Sequence, residues 1–170
     1  MVVKKHMHIT EIYNYPLKSS KGSKLEHVEV LPSGIRNDRI VAVVNERGKI
    51  VTGRELPQLL NLQSEIVADS LVLQSTNFDD FQFLLPKDGK TIELKLFRNI
   101  VYGNEFDSES NDWISDYLEG IYRLVYIQSH LNPILESRGG KEGELKTYAG
   151  FLADTSHKSR ITSRFKFQVG

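Results

Sequence analysis

The 170-residue sequence contains no cysteine. That absence excludes a disulfide framework, a thiolate nucleophile, a cysteine-ligated metal and a dithiol redox pair. No Asn-x-Ser/Thr sequon occurs, so nothing marks an extracellular chain, and the default compartment is the cytoplasm. No apolar run approaches the ~18 residues that would cross a bilayer, which removes a membrane from the expected partners. The start, Met1 to His8, holds two lysines but no apolar stretch behind them, unlike a secretory signal. Net charge is missing as well: 22 Lys and Arg balance 22 Asp and Glu. A general nucleic-acid or anionic-surface binder is therefore not expected.

What is present describes an ordinary soluble domain. Hydrophobic residues make up 39% and charged residues 26%, too apolar and too evenly charged for disorder. At about 150 residues per domain the length predicts one domain, long enough to bury roughly 70% of its unfolded surface. The charge is unevenly placed. Residues 1–60 carry ten Lys/Arg against six Asp/Glu, residues 61–140 six against thirteen, and residues 141–170 six against three.

Short strands separated by turn residues fill most of the chain, which predicts a barrel or sandwich rather than an α/β fold. Strands are expected near 7–14, 25–31, 39–45, 50–54, 61–68, 71–75, 80–85, 91–97, 99–102 and 121–128. The turns Glu46-Arg47-Gly48-Lys49, Asp69-Ser70 and Lys87-Asp88-Gly89-Lys90 connect consecutive strands as hairpins, so the sheet should be mainly antiparallel. Ile40 to Val44 is apolar on both faces and should be a central strand. One helix is expected, capped by Ser108 or Ser110, with Trp113, Ile114, Tyr117 and Leu118 on one stripe and Gly120 as its stop. The polar stretch 129–147, punctuated by Pro133, Gly139, Gly140 and Gly143, reads as a functional or mobile loop. The fold class is thus a mainly β, mostly antiparallel barrel with one principal helix over residues 1–156, followed by a tail or closing strand over 157–170.

Three segments suit an anion. In Tyr15-Pro16-Leu17-Lys18-Ser19-Ser20-Lys21-Gly22, Pro16 ends the first strand, and Lys18 and Ser19 then supply a cation, a hydroxyl and backbone N–H groups near a glycine. A solvated hairpin loop is the alternative. Gly34-Ile35-Arg36-Asn37-Asp38-Arg39 leads into the central strand and places Arg39 at the barrel mouth, where a planar guanidinium can grip a phosphate or carboxylate. Its alternative is an internal ion pair with a carboxylate of the domain. Thr52-Gly53-Arg54-Glu55-Leu56-Pro57 adds a further cation at a strand end.

Other constellations carry less. His6 and His8 would share one strand face but lack a third ligand nearby. Asp154, Ser156 and His157 are too close in sequence for a nucleophile–base–orienter triad. Asp79-Asp80 and the acidic 105–119 region read as solvated faces, and Arg138-Gly139-Gly140-Lys141 lacks P-loop spacing.

Taken in order, Tyr15-Pro16-Leu17-Lys18-Ser19 with Gly22, Gly34-Ile35 with Asp38-Arg39, Gly48 with Thr52-x-Arg54-x-x-Pro57-x-Leu59, Trp113-Ile114-Ser115 with Leu118, Tyr122-Arg123-Leu124-Val125, and Ala153-Asp154-Thr155-Ser156 resemble the N-terminal β-barrel domain of MOSC proteins. That family includes the mitochondrial amidoxime-reducing component and the C-terminal part of molybdenum-cofactor sulfurases. The resemblance implies that Lys18, Ser19 and Arg39 contact the pterin and phosphate part of a molybdenum cofactor (molybdopterin), the same positions that the anion argument selects.

The sequence departs from the resembling enzymes in two respects. They ligate molybdenum through a Cys in a following MOSC domain, and this sequence has neither that Cys nor room for that domain. After Ser156 it reads His157-Lys158-Ser159-Arg160 where the family continues with a proline and an apolar strand, so a natural orphan, an interrupted reading frame or an engineered half is expected. Alone the chain should not be a competent molybdoenzyme, and its intact relatives are oxidoreductases or sulfurases. The reading that follows is a domain binding the cofactor's pterin and phosphate, or another small anionic ligand, without turnover. Its rival is an interaction module that docks a partner domain or protein completing a MOSC site. A third reading, single-stranded nucleic acid held by Tyr13, Tyr15, Lys18 and Lys21, is opposed by the net charge.

Overall fold

Residues 41–44 are apolar on both faces, and each face meets a core. Val41 and Val43 pack with Leu17, Leu59, Leu73 and Leu124, whereas Ala42 and Val44 pack with Ile50, Leu94, Val101 and Val125. A computed structural model describes residues 7–31, 34–96, 99–127 and 166–169. The loop expected over 129–147, the Ala153–Ser156 motif, His6 and residues 157–165 lie outside them.

In chain order the elements are β1 (Met7–Asn14), β2 (Ser23–Leu25), β3 (Val30–Leu31), β4 (Gly34–Ile35), β5 (Val41–Asn45), a 3-10 turn (Pro57–Asn61) and β6 (Gln63–Val67). There follow β7 (Ser70–Ser75), β8 (Phe78–Leu84), β9 (Thr91–Leu96), β10 (Asn99–Glu105), α1 (Ser108–Leu118), β11 (Tyr122–Tyr126) and β12 (Lys166–Val169). Every strand pair is antiparallel, in sheets ordered β12-β1-β2, β5-β11-β10-β9, β3-β4 and β6-β7-β8. Among the described residues the mainly β, antiparallel class with one α-helix is therefore observed. A continuous closed barrel is not formed among the described residues.

Instead, isolated bridges join the sheets: Leu17 with Val41, Lys21 with Gln63, Val44 with Ile50 and Lys49 with Lys95. Residues 48–51 fill the gap between β5 and β9. Asn45 N–H donates to Lys49 O and Val51 N–H to Val43 O, both at 3.0 Å, on one side. On the other, Ile50 N–H donates to Lys95 O at 3.0 Å and Lys95 N–H to Gly48 O at 2.8 Å. Gly48 makes this seam possible, because its φ of +68° is a left-handed conformation that costs a side-chain-bearing residue energy. β5 accordingly ends its sheet in hydrogen-bond order rather than sitting at the middle, and it is central only in packing. Residues 50–54 make a single bridge and a turn instead of a strand, since Ile50 alone pairs there. The expected strand 25–31 is likewise divided between β2 and β3.

The helix lies where its stripe predicts, with Trp113, Ile114 and Leu118 buried. Its caps differ. Asp107, not a serine, caps the first turn by accepting Ser110 N–H at 2.8 Å and the Ser110 hydroxyl at 2.5 Å. The longer reach of a carboxylate one residue earlier accounts for the displaced start. Glu119, at φ 54°, takes the left-handed stop position expected of Gly120. Trp113 stands edge-on to Phe83 at 5.6 Å between centroids and stacks with Tyr117 at 5.6 Å, so α1 covers the aromatic side of β8.

Candidate functional site

Two segments distant in sequence are laid side by side after β1 and before β5. Pro16 has no N–H to continue a ladder, and the chain leaves β1 to run parallel to residues 39–41. Arg39 N–H donates to Tyr15 O at 2.8 Å, Val41 N–H to Pro16 O at 2.9 Å and Lys18 N–H to Val41 O at 2.8 Å. These bonds bring Lys18 and Arg39 into one neighbourhood, 21 positions apart though they are. The next turn is pinned from below. Ser20 Oγ donates to Leu17 O at 2.7 Å and lies 2.7 Å from Ser64 Oγ, which accepts Leu17 N–H at 3.2 Å. Gly22 is required for a different reason: a Cβ there would lie 2.6 Å from the Tyr15 ring and 2.8 Å from Asn14 O.

Backbone strain concentrates in these two segments. Ser19 (φ 66°), Asn37 (φ 62°) and Arg39 (φ 55°) all hold left-handed conformations, each of which costs a non-glycine residue on the order of 1–2 kcal/mol. Two of the three, Ser19 and Arg39, are residues that the sequence itself singles out.

Lys18 and Ser19 line a cleft of about 580 Å³ together with Thr52, Gly53, Arg54 and the Lys49–Glu55 ion pair, against an apolar wall of Ile50, Leu60 and Leu96. Lys18 is only 3% exposed. Burial, then the charges of Arg39 and Arg54, lowers its ammonium from 10.5 to about 8. Lys18 and Arg54 thus line one small volume, with the charge of Arg39 close to Lys18. Gly53 keeps the cleft open where it meets Ser19, since a Cβ there would stand 2.9 Å from Leu60 Cδ2 and 3.5 Å from Ser19 Cβ.

Arg39 realises the alternative of an internal pair. Its guanidinium bonds Asp38 and lies over the Tyr15 ring, 5.0 Å from the centroid. Asp38 is 2% exposed and also accepts Tyr15 N–H at 3.0 Å. Burial raises the Asp38 carboxyl, against the opposing pull of Arg39 and of the Tyr15 N–H. Arg39 therefore stands behind the cleft as a held charge, whereas Lys18 and Ser19 line it directly. Sequence reasoning does not reach the roles of Asp38, Ser20 and Ser64. An Asp before an Arg and a pair of serines 44 positions apart carry no periodic signal of burial, and only the tertiary contact shows what they do.

A family model described as the MOSC N-terminal beta barrel domain matches residues 6–120. The chain belongs to that family. This MOSC N-terminal domain is 29% identical over 132 residues to mitochondrial amidoxime reducing component 2 of Bos taurus, covering 72% of the chain and 39% of that protein. It is 24% identical over 144 residues to mitochondrial amidoxime-reducing component 1 of Xenopus laevis, covering 80% of the chain and 41% of that protein. The chain thus spans about two fifths of the length of the curated relatives it matches. A Bordetella bronchiseptica protein of known solution structure shares the fold, with a TM-score of 0.50 and 14% identity over 65% of this chain and 95% of that one. The relatives are named as mitochondrial, which does not support the cytoplasmic expectation. Among the described residues no helix is long and apolar enough to cross a membrane.

Proposed function

We propose that this MOSC N-terminal domain binds the phosphate and pterin end of a molybdenum cofactor, or another small anionic ligand, at the Lys18–Ser19 cleft, as one half of a site that a second domain completes. The observation that carries this reading is the buried Lys18 lining one cleft with the Ser19 hydroxyl and Arg54, with Arg39 held behind it by Asp38. A buried ammonium beside a second cation is unfavourable in a low-dielectric pocket, and an anion in the cleft would offset it. The donor set fits a phosphate: cations and the Ser19 hydroxyl, with an apolar wall suited to a planar ring. It does not fit the metal end, because the sequence holds no cysteine to supply a thiolate. When bound, such a cofactor supplies redox or sulfur-transfer chemistry at its metal. This chain's residues would position its anionic end and exclude water from it.

The barrel of the family description enters here as part of the proposal. The bonds across residues 48–51 join β5 to β9 and support reading the four-stranded sheet as a barrel with a thin seam. The experiment is a titration with inorganic phosphate followed by backbone amide shifts. Open to water, the site should bind at millimolar strength, near 4 kcal/mol. Shifts should cluster in residues 17–22, 36–40 and 52–55, and Lys18→Met should abolish them. Shifts scattered over the surface would refute the reading.

The rival role, docking a partner that supplies the other half of such a site, is favoured by one observation. Leu60 is 54% exposed at the edge of the cleft, where an apolar side chain gains by being covered. Leu60→Asp should block association with a separately produced MOSC core domain and, because Leu60 also stands in the cleft wall, weaken the phosphate shifts with it.

A further inference from the structure

We infer that the Lys49–Thr52 corner of the cleft is the seat for the ligand's anion, and that the chain's own Glu55 carboxylate fills it until a ligand displaces it. The inference rests on the anion reading above and names what regulates that site. Glu55 lines the cleft and is held there by three donors. Its Oε2 accepts the Thr52 N–H at 3.2 Å and the Thr52 hydroxyl at 3.4 Å, and its Oε1 accepts the Lys49 ammonium. A backbone N–H, a hydroxyl and a cation converging on two carboxylate oxygens are the donors that a phosphate takes. Ser19 and Arg54 line the same cleft, so donors remain for the further oxygens that a phosphate has and a carboxylate lacks.

The carboxylate is dispensable to its own turn. Glu55 N–H and Leu56 N–H both donate to Thr52 O at 2.9 Å, so the backbone closes residues 52–56 without the side chain, and Pro57 then starts the 3-10 turn. It is also easily dislodged. The side chains of Lys49 and Glu55 are 52% and 40% exposed, and an ion pair so open to water shifts an equilibrium by no more than about fivefold. An arriving phosphate dianion takes over Lys49 and the two Thr52 donors and expels Glu55 to solvent, where its charge is hydrated. Until then Glu55 offsets the charge of Lys49, and any ligand of the cleft must outcompete this internal anion.

The test titrates the full chain with inorganic phosphate at about pH 7.5 and constant ionic strength, reading affinity from backbone amide shifts. Glu55→Gln keeps an oxygen for the Thr52 N–H but removes the charge, and should bind phosphate about fivefold more tightly than wild type. Lys49→Met should cost more affinity in the Glu55→Gln background than in wild type, because in wild type it removes the tether of Glu55 together with the ligand's seat. A Glu55→Gln protein that binds no more tightly overturns the inference. So does a Lys49→Met loss that is equal in both backgrounds, which would make Glu55 only a distant charge. The two readings fail differently: shifts at residues 17–22 and 52–55 with affinity unchanged by Glu55→Gln sink the displaced carboxylate alone, whereas no shifts in either protein sink the anion reading beneath it.

Discussion

Replacing Lys18 by methionine should make the protein more stable and less able to bind anions. Lys18 is 3% exposed and its ammonium falls from 10.5 to about 8 on folding, chiefly through burial and then through Arg39 and Arg54. At about 1.4 kcal/mol for each pH unit of displacement, keeping it charged at pH 7 costs the native state roughly 3 kcal/mol. Methionine keeps an unbranched stem of similar length without the charge, so the gain at pH 7 should be roughly 1–3 kcal/mol once the bonds of the amine are lost. The pH dependence identifies the cause. Because the native pKa lies below the unfolded one, the unfolded chain holds more protons than the native protein between about pH 8 and 10.5. Wild-type stability should therefore rise across that window relative to Lys18→Met, and the difference between them should shrink toward zero. Urea denaturation of both proteins at pH 7, 8.5 and 10 reads this directly, other titrating groups cancelling in the comparison. In the same assay, 50 mM phosphate against chloride of equal ionic strength should stabilise wild type by roughly 1–2 kcal/mol and leave the variant unmoved. A variant less stable than wild type at pH 7, or a difference that does not narrow as the pH rises, would show that Lys18 is a structural residue.

The remaining expectations concern its surroundings. Asp38→Ala strips the partner from Arg39 and the acceptor from Tyr15 N–H, and should destabilise by roughly 3 kcal/mol in chemical denaturation; Asp38→Asn, which keeps an acceptor for that N–H, should lose less than half as much. Gly103→Ala would set a Cβ 2.6 Å from Val125 Cγ1 and 2.7 Å from Tyr126 O, so a loss of roughly 2–3 kcal/mol or an insoluble product is expected. Asp107→Ala removes the helix cap and should lower stability by about 1 kcal/mol, with Trp113 fluorescence reporting the transition. Ser64→Ala frees Leu17 N–H and the Ser20 hydroxyl, and should weaken phosphate binding several-fold while reducing stability by about 1 kcal/mol.

Elements with a clear period are legible in the amino-acid sequence. Ile92, Leu94 and Leu96 alternate, and β9 follows them. Trp113, Ile114 and Leu118 share a helical stripe, and α1 buries them. The two-faced apolarity of residues 41–44 correctly announces two cores. It misleads about position in the sheet, because burial on both faces says what lies above and below a strand and nothing about what is hydrogen-bonded beside it. Lys18 and Ser19 are legible because cations and hydroxyls beside Pro and Gly suit anions whatever the fold. Whether Arg39 pairs with Asp38 or faces a ligand is not written in the sequence, since local residues do not say which way a guanidinium turns. Ser20 and Ser64 are out of reach: their contact depends on the parallel approach of residues 15–18 and 39–41 and on the return of the chain through β6.

The seam at residues 48–51 gives the domain an uneven mechanical character. Everywhere else the four-stranded sheet is held by strand ladders, but between β5 and β9 a few backbone bonds through one left-handed glycine do the joining. The same short stretch carries Lys49, Ile50 and, just beyond, Thr52 to Arg54 into the cleft wall. A ligand gripping Lys18 on one side and Arg54 on the other would act as a clasp across this joint, so that occupancy and closure become one event. The amides of Ile50, Val51 and Lys95 would then be the gauge of that event, slow to exchange hydrogen when the clasp is shut and fast when it is open.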